Sequence, residues 1–387
     1  MKDLTKVVHH PAVSEDGFAS LVVSVQRAST IVFDSAEAYA QRRDRWPDGY
    51  SYGLHGTPTS KVLEAQLSGL EGAAGTILAP SGQAAISLLL TSLLVPGGEV
   101  LIPDNVYSPV RDFCEHYLVP RAIGYRVYDP MVGTGIADWL SDATQLVWVE
   151  TPGSTTMEVP DLPAIIAAAK ARGIPVGCDH TWATPLLLKP LSLGCDFAVS
   201  ALSKYAGGHS DLLMGAISVA NSERYHAVRE VFRLYGIGVS PDDCSLVLRG
   251  LETMGVRLAH IGNVSTDFAR RLESHRAVAR ILHPALPACP GHNHWRRDFA
   301  GASGVFSIML DPALDARIDA AISELKIFAL GSSWGATRSI IAPIAVGKDR
   351  LLDRRAGIAR VLRISIGLED VEDLWEDLSA LLDRIAG

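Results

Sequence analysis

The 387 residues carry 35 Lys and Arg against 43 Asp and Glu, a formal charge of −8, which gives nucleic acid no electrostatic handle and leaves solubility as the plainest use of the charge. The length allows two domains, or one large α/β unit, with a sizeable core. Five cysteines, Cys114, Cys178, Cys195, Cys244 and Cys289, are dispersed and odd in number, which fits a reducing cytosol rather than a disulfide framework.

The opening Met1-Lys2-Asp3-Leu4-Thr5-Lys6 lacks the apolar core and small-residue cleavage site of an export signal, so a cytoplasmic location is expected. Residues 1–55 show little sustained periodicity and read as an arm reaching a neighbouring subunit, with Arg42-Arg43-Asp44-Arg45-Trp46-Pro47 as a basic and aromatic patch; surface packing is the competing reading. The pattern then predicts a helix over 59–70, a strand over 75–79 and a helix over 81–94. The greasiest run, Ile86 to Val95, is too short to span a bilayer and reads as a buried helix. Further strands are predicted at 99–102, 123–127, 145–149, 175–178, 197–200 and 213–219, with a helix over 162–172. That alternation predicts an α/β large domain, residues 56–250, with a mostly parallel sheet. Beyond Gly250 helices are predicted over 255–275, 315–325 and 369–385, with strands at 304–310 and 361–366. This gives a smaller α+β C-terminal domain, residues 251–387. Cys289-Pro290-Gly291-His292-Asn293-His294 offers soft ligands but no fourth nearby, and no metal site is expected.

The most informative stretch is Ser200-Ala201-Leu202-Ser203-Lys204-Tyr205-Ala206-Gly207-Gly208-His209, downstream of a strand ending in Asp179. A lysine in a hydroxyl- and glycine-rich segment, paired with a carboxylate at a strand end, suits pyridoxal 5'-phosphate (PLP): the amine forms a Schiff base and the acid keeps the ring nitrogen protonated. Taken singly, Lys204 reads as a solvated lysine and Asp179 as a turn cap. Pro80-Ser81-Gly82-Gln83 lies between strand and helix, where Gly82 permits close approach and the helix start attracts phosphate. Thr181 is placed to bond Asp179 or the ring oxygen, and Tyr107 to stack on the ring or pack in its turn. Arg363, in the apolar strand Val361 to Ile366, needs a carboxylate partner, from an amino-acid substrate or from the chain itself.

Tyr52-Gly53-Leu54-His55-Gly56-Thr57-Pro58-Thr59, Glu150-Thr151-Pro152-Gly153-Ser154, Ser203-Lys204-Tyr205, Gly208-His209-Ser210-Asp211 and Arg363-Ile364-Ser365-Ile366-Gly367-Leu368-Glu369-Asp370 together resemble the Cys/Met-metabolism family of PLP enzymes. Within it the chain looks most like the bacterial cystathionine β-lyases. The resemblance implies a fold type I, PLP-dependent transferase-like large domain and a homotetramer of dimers with shared active sites. It casts Lys204 as the cofactor lysine and base, Asp179 as partner of the ring nitrogen, and Tyr107 as the stacking and proton-assisting ring. Gly82, Gln83 and Ser203 resemble phosphate contacts, joined by Tyr52 from a neighbouring subunit. Arg363 is the implied carboxylate clamp, Ser333 and Trp334 shape the substrate cavity, and Asp112 resembles an acidic residue at its entrance. Two positions depart from the family: Leu54 where an arginine commonly binds phosphate, with His55 or another basic group to compensate, and Ser332 where the closest lyases carry an aromatic.

The implied activity is a carbon–sulfur β-lyase of methionine biosynthesis, cleaving L-cystathionine to homocysteine, pyruvate and ammonia, and other cysteine S-conjugates by the same route. The same chemistry also permits γ-elimination or replacement of the cystathionine or methionine γ-lyase type, a specialised sulfur-amino-acid lyase, or racemisation. A PLP-binding regulator without turnover is the non-enzymatic alternative. No nucleic-acid or membrane partner is expected.

Overall fold

The structure, a computed structural model, describes residues 16–348, 350–352 and 360–387; the leader reading at Met1 to Lys6 and the start of the arm lie outside them. Helix α1 (Pro58–Glu71) begins at a capping box between Thr57 and Ser60 with proline in its first turn. There follow β1 (Gly75–Ala79), α2 (Gly82–Leu93), β2 (Glu99–Pro103), α3 (Ser108–Phe113), β3 (Gly124–Tyr128) and β4 (Thr144–Glu150). Helix α4 (Leu162–Ala171), β5 (Val176–Asp179), β6 (Phe197–Ala201), β7 (Gly215–Val219) and α5 (Ser222–Leu234) complete the first sheet and its covering helices.

The seven strands run in the order β1-β7-β6-β5-β4-β2-β3. Pairings from β6 through β5, β4 and β2 to β3 are parallel, and β7 and β1 join antiparallel. Both faces are buried, and successive residues of one strand serve opposite sides. On β4, Leu146 and Trp148 pack with Ile86, Leu89 and Leu90 of α2 and Phe232 of α5, whereas Val147 and Val149 pack with Ile165 and Ile166 of α4.

Helix α6 (Pro241–Arg271) leads to the second sheet: β8 (Val278–Leu282), β9 (Val305–Leu310), β10 (Ala329–Leu330), β11 (Ile340–Ile344) and β12 (Val361–Ser365), followed by helix α7 (Val371–Ala386). Its order is β10-β11-β12-β9-β8, antiparallel except for β10 with β11. One core joins α6, α7 and this sheet to α1 through Leu63 and Leu67. The expected α/β and smaller α+β architecture is therefore present.

Several elements differ from expectation. Helix α6 starts at Pro241 rather than near Gly255 and runs through the position where the pattern changes. Its glycines look like breakers but are close-contact positions: a Cβ on Gly250 would lie 2.1 Å from the Ala206 carbonyl, and one on Gly262 2.2 Å from that of Ala302. The helix expected over 315–325 shortens to Ile318–Ile322 behind a 3₁₀ segment, Pro312–Arg317. Strands β8, β10 and β11 and helix α5 were not anticipated; Pro343 within β11 and Arg280 within β8 break the apolar pattern. Among the described residues no helix is long and apolar enough to cross a membrane.

Candidate active site

The carboxyl ends of β4, β5 and β6 lie side by side, which places Glu150 opposite Asp179 in the parallel register and the Ser203–Lys204 loop directly beyond β6. The floor of the site is therefore a product of strand topology, as at the switch points of open α/β sheets. It opens into a cavity of about 240 Å³ lined by Gly82, Tyr107, Asp179, Lys204, Trp334 and Arg363 among others.

Ser81 caps α2: its Oγ accepts from the Ala84 N–H at 3.0 Å and its carbonyl from Ala85 at 3.0 Å. The N–H groups of Gly82 and Gln83 are then the two that the helix itself does not use, at its positive end. No side chain is tolerated at Gly82, whose Cβ would meet Ala201 Cβ at 2.7 Å. The Gln83 side chain is committed elsewhere, donating to Ser87 Oγ and the Pro109 carbonyl, each at 3.1 Å. Only its backbone is therefore directed to an anion. Ser203 Oγ is tied into the β6–β7 connection, accepting from Met214 N–H at 2.9 Å and donating to Met214 O at 3.2 Å.

Lys204 Nζ donates to Ser333 Oγ at 2.7 Å and sits 5.2 Å from the Trp334 ring centre. Burial, with the nearby Arg363 charge, lowers its amine to about 8. Arg363 donates to the carbonyls of Ser332 at 2.6 Å and Ser333 at 3.1 Å, so backbone orients the guanidinium, and among the described residues no acid is paired with it. Asp179 Oδ1 accepts from the Thr181 N–H at 2.9 Å, and Thr181 Oγ1 in turn accepts from Ala201 N–H at 2.9 Å. Burial pushes the Asp179 carboxyl upward, opposed by Thr181 and by the charge of His180.

Two groups outside the expected set support this floor. Glu150 Oε2 accepts from the Tyr107 N–H at 2.7 Å and anchors that residue over the cavity; burial and the Asp179 charge raise its carboxyl well above the ordinary range. His180 is fully buried, with Nε2 2.8 Å from Glu71 Oε1 and Nδ1 3.0 Å from the Val199 carbonyl. Facing a carbonyl and a carboxyl group beside Asp179, the two ring nitrogens sit where the protonated ring is favoured. Burial alone would lower its pKa, but Glu71 and then Asp179 outweigh that and hold it raised. Glu150 shared the signal that singled out Asp179, an acid at a strand end; the Glu71–His180 pair spans 109 residues and has no local signature.

Other expected residues lie elsewhere. Asp112 is exposed on α3 and outside the cavity lining, as is the half-exposed Tyr52 in its own chain. Leu54 packs toward Gly238. His55 bonds Ser51 at 2.8 Å, and burial with the charges of Arg233, Arg229 and Lys61 lowers its pKa; it offers a hydrogen bond, not a replacement charge. Ser333 itself spends its hydroxyl on Lys204.

A desolvated lysine, a buried acid on one strand end and a helix start facing one cavity define a cofactor-dependent amino-acid enzyme. The chain belongs to the Cys/Met metabolism PLP-dependent enzymes, whose family model matches residues 4–383. It is 38% identical to the cystathionine β-lyase MetC of Escherichia coli (strain K12), over 93% of each chain. It is 37% identical to the L-alanine/L-glutamate racemase of Wolbachia pipientis wMel, over 100% of this chain and 98% of that one. The structure of cystathionine γ-synthase from Xanthomonas oryzae pv. oryzae, in complex with aminoacrylate and cysteine, superposes with a TM-score of 0.88 at 30% identity, covering 96% of this chain and 95% of that chain. The residues present fit PLP: a lowered lysine amine for its aldehyde, two helix-start N–H groups for its phosphate, and a buried acid at the floor for its ring nitrogen.

Proposed function

We propose that this chain is a carbon–sulfur β-lyase, converting L-cystathionine and water to homocysteine, pyruvate and ammonia, and acting likewise on other cysteine S-conjugates. The observation that carries the reading is the Lys204 amine, lowered to about 8 and held 2.7 Å from Ser333 Oγ within the cavity that Arg363 also lines. Bound PLP supplies an electron sink that weakens the bonds at the substrate Cα. Arg363 binds the substrate carboxylate and fixes which bond at Cα faces Lys204. Lys204 Nζ takes the Cα proton, and the thiolate leaves from Cβ. Asp179 holds the proton on the cofactor ring nitrogen, while Tyr107, fixed by Glu150, covers the site and assists proton transfer.

The curated names of relatives support a sulfur-amino-acid substrate, and the 30% identity to the cystathionine γ-lyase of Dictyostelium discoideum keeps γ-elimination as the enzymatic competitor. The end-to-end match to a racemase makes Cα reprotonation without loss of a thiolate a second reading. In the proposed assembly, a cytoplasmic homotetramer of dimers, the arm of residues 1–55 brings Tyr52 to a neighbour's phosphate site. Residues 56–250 hold PLP, and 251–387 carry the carboxylate clamp.

The test is to incubate the PLP-loaded protein with L-cystathionine and quantify four products together. Pyruvate with homocysteine is expected; 2-oxobutanoate with cysteine moves the assignment to γ-elimination. No product, with conversion of L-alanine to its enantiomer, favours the racemase reading.

A further inference from the structure

The cofactor cavity borders a second, larger one. A chamber of about 380 Å³ shares Tyr107, Ser154, Thr155, Ser332 and Arg363 with it, so the two adjoin across the small side chain of Ser332. The apolar part of its lining is Val106, Leu330, Ala342, Pro343, Ile344 and Val346, beside the polar Asn105 and Ser108.

Among the described residues its lining carries the charged side chains Asp104, Arg350 and Arg363, and the first two are already paired with each other. Arg350 Nε donates to Asp104 Oδ2 at 2.9 Å, and its second nitrogen to Glu158 Oε1 at 3.1 Å and Thr156 Oγ1 at 2.8 Å. Asp104 Oδ1 also accepts from the Leu351 N–H at 2.7 Å. Arg363 stands at the junction, where the proposed reaction uses it for the α-carboxylate. Asp112, the acid expected to receive a distal ammonium, lines neither cavity.

We infer that this chamber receives the S-substituent of the substrate and selects uncharged, apolar or aromatic cysteine S-conjugates over the zwitterionic arm of L-cystathionine. The inference rests on the β-elimination reading and names its substrate class. A zwitterion entering the chamber loses water at both charged groups and finds its Asp and Arg already bonded to each other, which costs more than it returns. An aromatic group loses little water and gains the apolar wall. Space is sufficient, since an apolar cavity of about 150 Å³ already accepts benzene.

The experiment measures kcat/KM for pyruvate release from S-benzyl-L-cysteine, L-cystathionine and S-methyl-L-cysteine, using PLP-loaded wild type, Ser332→Tyr and Leu330→Trp. Wild type is expected to favour the benzyl conjugate over L-cystathionine by about tenfold or more, the discrimination available to an apolar pocket. Each variant, by filling the mouth or rim, is expected to lower the benzyl-to-methyl ratio by about tenfold. Preference for L-cystathionine, or an unmoved ratio with pyruvate still formed, overturns the chamber assignment and leaves β-elimination standing. No pyruvate from any conjugate overturns the elimination reading and the inference with it. The wild-type ranking decides the matter even where a variant fails to fold.

Discussion

The two walls of the active site are built on different principles. The large-domain wall takes Glu150, Asp179 and Lys204 from three adjacent parallel strands or the residues just beyond them, and the buried His180–Glu71 pair backs it. The small-domain wall hangs Ser332, Ser333 and Trp334 on a connection after the two-residue strand β10, tied to Arg363 through backbone carbonyls. A wall fixed by sheet register suits a constant cofactor, whereas one fixed by backbone contacts to a loop leaves its side chains open to change. Ser332 is such a change, and substrate choice is therefore expected to be written on this second wall.

Breaking the first wall should have the largest effects. Lys204→Ala is expected to lower kcat by about a thousandfold and to abolish the lysine-linked absorbance near roughly 420 nm, read by steady-state kinetics and spectroscopy. Because the free amine titrates near about 8 and only its neutral form attacks an aldehyde, the rate of PLP uptake by the apo-protein should rise about tenfold per pH unit below that value and level off above it. Stopped-flow absorbance across pH 6 to 9 checks this, those limits being about two units below and one above. Asp179→Asn is expected to cost about a hundredfold in kcat, with PLP still bound through Lys204.

His180→Asn probes the support behind that wall. Removing one partner of the buried Glu71 pair should destabilise the fold by about 3 kcal/mol, measured by denaturant unfolding. The folded pKa of His180 is raised, so its stabilisation is fully present below the unfolded value of about 6.5 and is lost as pH rises through the folded value. The gap between wild type and variant should accordingly narrow at alkaline pH. Against the second wall, Arg363→Lys is expected to have the smallest effect, raising KM about tenfold with a lesser change in kcat, because a point charge replaces a planar fork.

The large sheet was legible because its strands are short, doubly buried apolar runs bracketed by turns, and because Asp179 and Lys204 sit at the ends of two of them. The small sheet was less so: Pro343 and Arg280 interrupt the patterns of β11 and β8, and the pairings that compensate are remote in sequence. The glycine at 250 concealed the first half of α6, since its reason is close contact with Ala206 rather than turning. Within the site, single-residue chemistry pointed to Lys204, Asp179, Tyr107 and Arg363. What it could not supply was pairing: that Glu150 holds Tyr107, that Glu71 bonds His180, or that Arg350 is spent on Asp104 and Glu158.

The most direct test of the cofactor wall is to load the protein with PLP, reduce it with borohydride, digest it, and locate by mass spectrometry the lysine carrying the pyridoxyl group. The account predicts stoichiometric label on Lys204; label on another lysine, or none, would contradict it.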